Sequence, residues 1–243
     1  MSEAPTAPPE QNTNAPPPTP PPAHNSAEDA GVGRKLAAEL VASALFQIVG
    51  GCAAPGLAPV ANGIGLAVLA YGVAGISGAH LNPAISLMLW LRGKVSFSTA
   101  FLYSIAQIAG ATLGAVACTM LVPGVVLGMG AGAPGTFAPA PGLAAGAVFA
   151  WEAAMTFMLG AVVYSTAVAK PGFGNAAPLA IGLVVTAAAS CAGPYTGAIL
   201  NPARAIGPAI AFGLPAATVA VYVGAQLFGA VAAAMWSGAV HQQ

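Results

Sequence analysis

Two copies of the tripeptide Asn-Pro-Ala contain the residues of this sequence best suited to hold a small polar molecule. The copies are Asn82, Pro83, Ala84 and Asn201, Pro202, Ala203. Because Asn is a favoured N-cap and Pro suits the first helical position, each copy predicts the start of a helix. The N-terminus of a helix exposes unpaired N–H groups and carries a partial positive charge. Each copy therefore predicts a place that attracts the oxygen of a passing molecule.

The two copies occupy equivalent places in an internal repeat. Residues 77–84 read SGAHLNPA and residues 196–203 read TGAILNPA, and a glutamate, Glu39 or Glu152, precedes each segment. Each half of the chain has three apolar stretches, and an odd number of spans gives the halves opposite orientations in a membrane. Inverted repeats place a functional site at their interface near the midplane. The repeat therefore predicts that both tripeptides meet at one site.

The composition indicates that lipid surrounds most of the chain. The 243 residues are 57% hydrophobic and 5% charged, whereas a soluble domain carries about 25% charged residues. Apolar stretches near the ~20 residues that a transmembrane helix needs lie at about 36–54, 58–76, 98–121, 143–167, 178–193 and 216–238. Two shorter apolar segments, 82–91 and 201–212, each open with Asn-Pro-Ala and are predicted to be re-entrant half-helices.

These elements predict an all-α membrane protein of six transmembrane helices plus two re-entrant half-helices. The membrane domain covers residues 34–238, with repeats at about 34–121 and 143–238. Residues 1–33 are rich in proline and are predicted to form a disordered cytoplasmic tail, and residues 239–243 a short C-terminal tail. Both termini are predicted to be cytoplasmic, because the basic residues of the loops then share that side. These residues are Arg34, Lys35, Arg92, Lys94 and Lys170.

The half-helices predict an electrostatic barrier in the middle of the membrane. A helix of about ten residues is roughly 15 Å long, about half the hydrocarbon thickness. Two such helices that enter from opposite faces would meet at their positive ends, where Asn82 and Asn201 add N–H donors. A water molecule held there by its oxygen has its hydrogens turned outward. This orientation breaks a chain of proton transfer, and the positive ends repel cations.

Other classes of chemistry have little support in the sequence. Six Lys and Arg balance six Asp and Glu, so no basic field indicates nucleic acid as a partner. Cys52, Cys118 and Cys191 lie in apolar stretches without paired spacing, so we interpret them as small buried hydrophobic residues rather than a metal site or redox motif. No pattern of nucleophile and base, metal cluster or phosphate loop indicates an enzyme or a cofactor.

The second Asn-Pro-Ala motif continues as NPARAIGP over residues 201–208. The two motifs together resemble those of the aquaporin family, which is also called the major intrinsic protein family. The resemblance covers residues 34–238. The segments STAV at 165–168 and APLAIG at 177–182 are similar to the plant vacuolar (tonoplast) branch. The resemblance implies a homotetramer in which each subunit has its own pore. It also implies a passive channel for water that excludes protons and ions, with small uncharged solutes as further permeants.

The resemblance also implies roles for individual residues. Arg204 would stand at the outer constriction, and counting from the two motifs adds Asn62, Ala189 and Ala198 to that ring. A ring without an aromatic group or histidine is expected to be wider than a strict water filter. Glu39 and Glu152 would accept hydrogen bonds from the re-entrant loops. His80 would line the cytoplasmic vestibule.

Two alternatives to a water channel stay open at this point. The wide ring is also compatible with a facilitator of glycerol, urea or ammonia. An ion-coupled secondary transporter also uses inverted repeats, but it needs titratable groups along its pathway. The candidates near the membrane region are Glu39, Glu152, His80 and Arg204. The plasma membrane and a vacuolar-type membrane both remain open as the location.

Overall fold

The computed structural model describes residues 31–54 and 56–241. Its α-helices are α1 Val32–Gly51, α2 Ala58–Ser77, α3 Pro83–Leu91, α4 Phe97–Leu121, α5 Ala145–Val163, α6 Ala177–Thr196, α7 Pro202–Phe212 and α8 Ala216–Val240. A π-helical turn, Tyr164–Val168, continues α5, and short 3-10 turns cover Gly130–Gly132 and Gly174–Ala176. Most of the predicted Pro-rich tail lies outside the described residues, as do the last two residues of the chain. Helix α1 begins slightly before residue 34, and α8 continues slightly beyond residue 238.

Each predicted apolar segment corresponds to one helix of this order. Among the residues that the structure describes, five helices are long and apolar enough to cross a membrane: α2, α4, α5 with its π-helical turn, α6 with the turn before it, and α8. Helix α1 is as long as α2, with 20 residues, but it carries Arg34, Lys35 and Glu39. It packs along α4 as α5 packs along α8. Six long helices and two half-helices therefore form the predicted all-α membrane fold.

Small residues allow the long helices of each repeat to approach closely. A Cβ added to Gly110 of α4 would collide with the backbone carbonyl of Leu40 on α1. A Cβ added to the equivalent Gly229 of α8 would also collide with a backbone carbonyl, that of Ala153 on α5, at 2.5 Å. Lipid provides no hydrophobic drive for helices to associate, so membrane helices depend on such close van der Waals packing. Both repeats therefore use a glycine of the third long helix to pack closely against the first.

The two half-helices begin where the Asn-Pro-Ala motifs predict. The Oδ1 atom of Asn82 accepts a hydrogen bond from the backbone N–H of Ala84 at 2.9 Å. The Oδ1 atom of Asn201 accepts one from Ala203 at 2.9 Å. Helices α3 and α7 contain 9 and 11 residues, which makes them roughly 14 and 17 Å long. Together they span about the thickness of the hydrocarbon core.

The segments before the half-helices have an unusual backbone. Helices α2 and α6 end at Gly78 and Gly197, whose φ angles of 86° and 84° favour glycine. In each segment two non-glycine residues also have positive φ angles of 49–52°: Ala79 and Leu81 in the first, Ala198 and Leu200 in the second. Such a conformation costs about 1–3 kcal/mol per residue and persists only where surrounding interactions require it. The identical pattern in both repeats indicates that this backbone serves the site.

The cysteines differ from the sequence-based interpretation. Cys118 is buried, but Cys52 and Cys191 are exposed. Cys52 is exposed because it lies just after the last residue of α1, where the chain leaves the helix bundle. Cys191 lies on an outward face of α6. The prediction that all three are buried is therefore wrong for two of them.

Candidate pore

One cavity of about 840 Å³ passes between the two repeats. At one end its wall includes Lys94 and Lys170. At the other end the wall includes Phe46, Asn62 and Arg204. Asn82 and Asn201 line the cavity between these ends, next to the residues that have positive φ angles. The structure therefore brings both Asn-Pro-Ala motifs to a single passage.

The amide groups of the two asparagines connect the repeats. The Nδ2 atom of Asn82 donates a hydrogen bond to the carbonyl of Leu200 at 2.8 Å. The Nδ2 atom of Asn201 donates to the carbonyl of Leu81, also at 2.8 Å. Since the Oδ1 atoms cap the half-helices, each side chain has a fixed orientation. Each amide nitrogen also carries a second N–H, which is a donor for a molecule in the cavity.

The charges of the cavity wall have one sign. Among the lining residues, the ionised side chains are those of Lys94, Lys170 and Arg204. No carboxylate of the described residues belongs to the wall. The half-helix N-termini add partial positive charge at the centre. The ionised side chains and the half-helix N-termini of the wall therefore present positive charge to the cavity.

Glu39 holds the loop before the first half-helix. Its Oε1 atom accepts hydrogen bonds from the Ser77 hydroxyl at 2.6 Å and the His80 backbone N–H at 3.0 Å. Its Oε2 atom accepts from the Leu81 backbone N–H and the Gln107 side chain, both at 2.7 Å. Four donors satisfy a carboxylate that is 0% exposed. Glu39 therefore links α1 to the loop before α3 and to Gln107 on α4.

Glu152 repeats this arrangement in the second half. Its Oε1 atom accepts hydrogen bonds from the Thr196 hydroxyl at 2.6 Å and the Ile199 backbone N–H at 3.0 Å. Its Oε2 atom accepts from the Leu200 backbone N–H and the Gln226 side chain, both at 2.9 Å. It is also 0% exposed. The two glutamates therefore stabilise the strained loops whose ends bear the asparagines.

The glutamine and tyrosine partners of these loops were not predicted as site residues. Besides the glutamines, Tyr103 donates a hydrogen bond to the carbonyl of Ser77 at 2.9 Å, and Tyr222 donates to that of Thr196 at 2.8 Å. A sequence signal for them exists, because residues 103–111 and 222–230 share the pattern YxxAQxxGA. The repeat extends into the third long helix of each half, and the shared tyrosine and glutamine mark the supports of the loops.

Arg204 is held by three side chains at the end of the cavity. Its guanidinium donates hydrogen bonds to the Oδ1 atom of Asn62 and, at 3.4 Å, to the Oε1 atom of Gln47. The guanidinium carbon lies 4.4 Å from the centre of the Phe46 ring, a geometry in which a cation interacts favourably with an aromatic face. Asn62 and Arg204 were predicted to be neighbours. Gln47 and Phe46 were not predicted to contact Arg204. They are far from it in the sequence, so no motif or spacing connects them.

The two alanines of the predicted constriction have different positions. Ala198 lines the cavity, as Arg204 does. Ala189 is a buried residue of α6 that does not belong to the cavity wall, whereas Val185, one turn earlier, does. The structure therefore brings Asn62 and Arg204 into contact and places Ala198 on the wall of the same cavity, whereas Ala189 is not among the lining residues.

His80 lines the cavity in the loop before the first half-helix. Its Nδ1 atom lies 3.0 Å from the Ser86 hydroxyl, within hydrogen-bond distance. The ring packs edge-on against Tyr103 with ring centres 4.9 Å apart. These contacts restrict the imidazole to one orientation in the wall.

Comparisons with known proteins agree with this geometry. Aquaporin TIP4-4 of Zea mays is 33% identical in an alignment of 238 positions that covers 88% of this chain and 90% of that protein. Aquaporin TIP2-1 of Arabidopsis thaliana is 40% identical over 189 residues, which cover 76% of this chain and 70% of that protein. These relatives confirm the predicted resemblance to the tonoplast branch.

A solved structure shares the fold. The aquaglyceroporin from Plasmodium falciparum is similar with a TM-score of 0.74 and 21% sequence identity, covering 86% of this chain and 97% of that one. The sequence profile described as Major intrinsic protein matches residues 26–235. This match spans most of the chain and both Asn-Pro-Ala motifs, so the chain belongs to the major intrinsic protein family.

Proposed function

We propose that this protein is a passive water channel that also admits small uncharged solutes. The observation that carries the proposal is the position of Asn82 and Asn201, whose amides line one cavity and are each oriented by a carbonyl of the other repeat. The names of the relatives, which are aquaporins and an aquaglyceroporin, support it.

Water crosses the centre by accepting hydrogen bonds from the two asparagine amides. Its oxygen faces the donors, so its hydrogens point away along the passage in both directions. Neighbouring waters then cannot pass a proton through the centre, because the central molecule is not a proton acceptor for either of them. The orientation depends on both amides being fixed, which their bonds to Leu200 and Leu81 provide.

Cations are excluded by charge and by the cost of dehydration. The half-helix N-termini and Arg204 make the passage electropositive. The rest of the wall is largely apolar, with residues such as Leu66, Val163 and Val185. Such a wall does not replace the water around an ion. A neutral molecule loses far less hydration free energy than an ion when it enters the passage.

Passive flow is favoured over ion coupling by the state of the two buried acids. Glu39 and Glu152 each accept four hydrogen bonds and lie outside the cavity wall. A coupling carboxylate must instead meet the transported ion and change its protonation during the cycle. Both glutamates act as structural anchors of the loops.

The range of solutes follows from the end of the cavity at Arg204. Asn62 and Ala198, neither of which carries a ring, line the cavity together with Arg204, while Phe46 covers one face of the guanidinium. Arg204 and Asn62 offer polar atoms to a solute with hydroxyl or amide groups. We therefore expect urea, ammonia or glycerol to pass in addition to water. A facilitator specialised for these solutes is the second candidate.

The proposed subunit is one of a homotetramer with both termini in the cytoplasm. The order of helices supports the orientation, since the basic residues lie at the start of α1, between α3 and α4, and between α5 and α6. These places share one side of the bundle when successive long helices cross in alternate directions. The positive-inside rule assigns that side to the cytoplasm.

Stopped-flow light scattering of reconstituted liposomes tests the function. After an osmotic jump, vesicles with the protein are expected to shrink much faster than empty ones, with a low activation energy. A protonophore should leave the rate unchanged. Solute uptake that requires a proton gradient would contradict the proposal and favour a coupled transporter. Rapid solute flux with slow water flux would favour the specialised facilitator.

A further inference from the structure

We propose that Cys52 and Cys118 are a site of oxidative modification, at which a hydroperoxide such as hydrogen peroxide converts the two thiols into an intramolecular disulfide. The pair joins the end of α1 to the last turn of α4. It lies outside the cavity wall.

The geometry of the two thiols is suited to this bond. Their Sγ atoms lie 3.4 Å apart. A disulfide bond is about 2 Å long, so the sulfurs must approach by a little more than 1 Å. Cys52 is the first residue after α1, held to the helix by its backbone N–H bond to Ile48 at 2.8 Å. Because Cys52 is exposed, its side chain is not enclosed by core packing when it rotates toward Cys118.

The different exposure of the two thiols sets the order of the steps. Cys52 is exposed and meets the oxidant first, whereas Cys118 is buried and donates a hydrogen bond to the Gly114 carbonyl at 3.3 Å. The Cys52 sulfur attacks one oxygen of the hydroperoxide, which gives a sulfenic acid and releases water or an alcohol. The Cys118 sulfur then attacks the Cys52 sulfur. The hydroxyl group leaves with the Cys118 proton as a second molecule of water, so two thiols are oxidised and one peroxide is reduced.

The position of the pair in the membrane favours a lasting bond. In the proposed orientation, α1 and α4 both begin at the cytoplasmic side, so Cys52 and Cys118 lie near the opposite face. Disulfides persist in oxidising compartments on that side of a membrane and are removed in the cytoplasm. This part of the inference depends on the proposed orientation, but the proximity of the two sulfurs does not.

The bond would restrain the helix end that supports Arg204. Gln47, which accepts a hydrogen bond from Arg204, lies on α1 shortly before Cys52. Its Nε2 atom also donates to the carbonyl of Gly135 at 3.4 Å. A disulfide at the end of α1 therefore limits the movement of one wall of the constriction. We expect the oxidised protein to unfold at a higher temperature than the reduced protein.

Thiol counting on the purified full chain tests the proposal. The protein is treated with hydrogen peroxide, unfolded, alkylated with N-ethylmaleimide and weighed by mass spectrometry. Two of the three cysteines should lose their reactivity, and dithiothreitol should restore it. The variant Cys191→Ser is the matched control and should also lose two reactive thiols. Neither Cys52→Ser nor Cys118→Ser should form a disulfide within the chain after the same treatment, because each variant lacks one sulfur of the pair.

Three results would overturn the proposal. These are full alkylation of the oxidised wild type, a disulfide that appears only between chains, and loss of the intramolecular bond in Cys191→Ser. The measurement does not involve transport, so it can fail or succeed independently of the water-channel function.

Discussion

The guanidinium of Arg204 donates a hydrogen bond to the side-chain oxygen of Asn62. The Nδ2 atom of Asn62 in turn donates to the carbonyl of Ala58 at 2.8 Å, one turn earlier on α2. This second bond orients Asn62 so that its oxygen faces the arginine. The end of the cavity is therefore shaped by a polar pair from the two repeats, and its size depends on the residue at position 62.

Replacing Asn62 by Phe is expected to reduce the range of solutes. The larger ring occupies space beside Arg204, so urea and glycerol flux should fall at least several-fold while water flux is largely retained. Stopped-flow measurements with each solute provide the comparison. Asn62→Ala is the control, since it removes the hydrogen bond to Arg204 without adding bulk. Unchanged urea and glycerol flux in Asn62→Phe would contradict the assignment of Asn62 to the constriction.

The variant Ala189→His, compared with Asn62→Phe, tests the fourth predicted position of the constriction. Because Ala189 does not belong to the cavity wall, Ala189→His alone should change solute flux less than Asn62→Phe alone. An equal or larger effect of Ala189→His would show that this residue reaches the passage during transport.

The variant Asn82→Asp is expected to weaken the exclusion of cations. The carboxylate still caps α3, but it no longer donates to Leu200 and it adds a negative charge at the centre. An unsatisfied buried carbonyl costs about 1–3 kcal/mol, so a moderate loss of stability should accompany the leak. Sodium-driven changes of membrane potential in liposomes measure the leak. Asn175→Asp adds the same charge near the end of the cavity that includes Lys170 and should preserve exclusion; an equal leak from both variants would point to a general charge effect.

Glu152→Gln is expected to destabilise the protein by about 3 kcal/mol. One carboxylate oxygen is replaced by an NH2 group that faces hydrogen-bond donors of the loop, and the remaining bonds are no longer made to a charged acceptor. The measurement is the unfolding temperature in detergent. Gln226→Met is the comparison: it removes one hydrogen bond, but it also removes a buried Oε1 atom that has no partner. Gln226→Met is therefore expected to lower the stability less than Glu152→Gln does. If the two variants were equally stable, the carboxylate would not be the main anchor of the loop.

Gly207→Ala tests the packing of the second half-helix. A Cβ at this position would lie 2.7 Å from backbone atoms of Ala111 and Thr112 on α4. Overpacking of this kind costs about 1–3 kcal/mol, which should lower the unfolding temperature. Gly146→Ala is the matched control, because Gly146 is exposed in the first turn of α5 with nothing within 4 Å of an added Cβ. Equal stability of the two variants would mean that α7 can move away from α4.

The elements of the fold follow from local features of the sequence. Apolar length predicts the long helices, and Asn with Pro predicts the start of both half-helices. The first long helix starts earlier than residue 36 because its backbone hydrogen bonds continue through the charged turn at Arg34 and Lys35. The fifth predicted span, 178–193, corresponds to α6, which continues past residue 193 in spite of Pro194 in its last turn and ends only at Gly197, where φ is positive.

The supports of the site are harder to predict from one sequence. Gln47 and Arg204 are separated by 157 positions, and Gln107 lies 68 positions after Glu39. No local spacing connects such residues, because their contact depends on how the helices pack. The role of Ala189 is hard to predict for the same reason. Counting from a motif shows that the residue lies on α6, but it does not show which face of α6 meets the cavity.

The crossed bonds of the two asparagines have a consequence for biosynthesis. Each amide finds its carbonyl only in the other repeat, so neither half of the chain can complete its own half-helix tip. The central barrier is expected to form late, after the second half has been inserted beside the first. Two halves synthesised separately would each be left with an unpaired amide and carbonyl, and they would assemble only by finding one another.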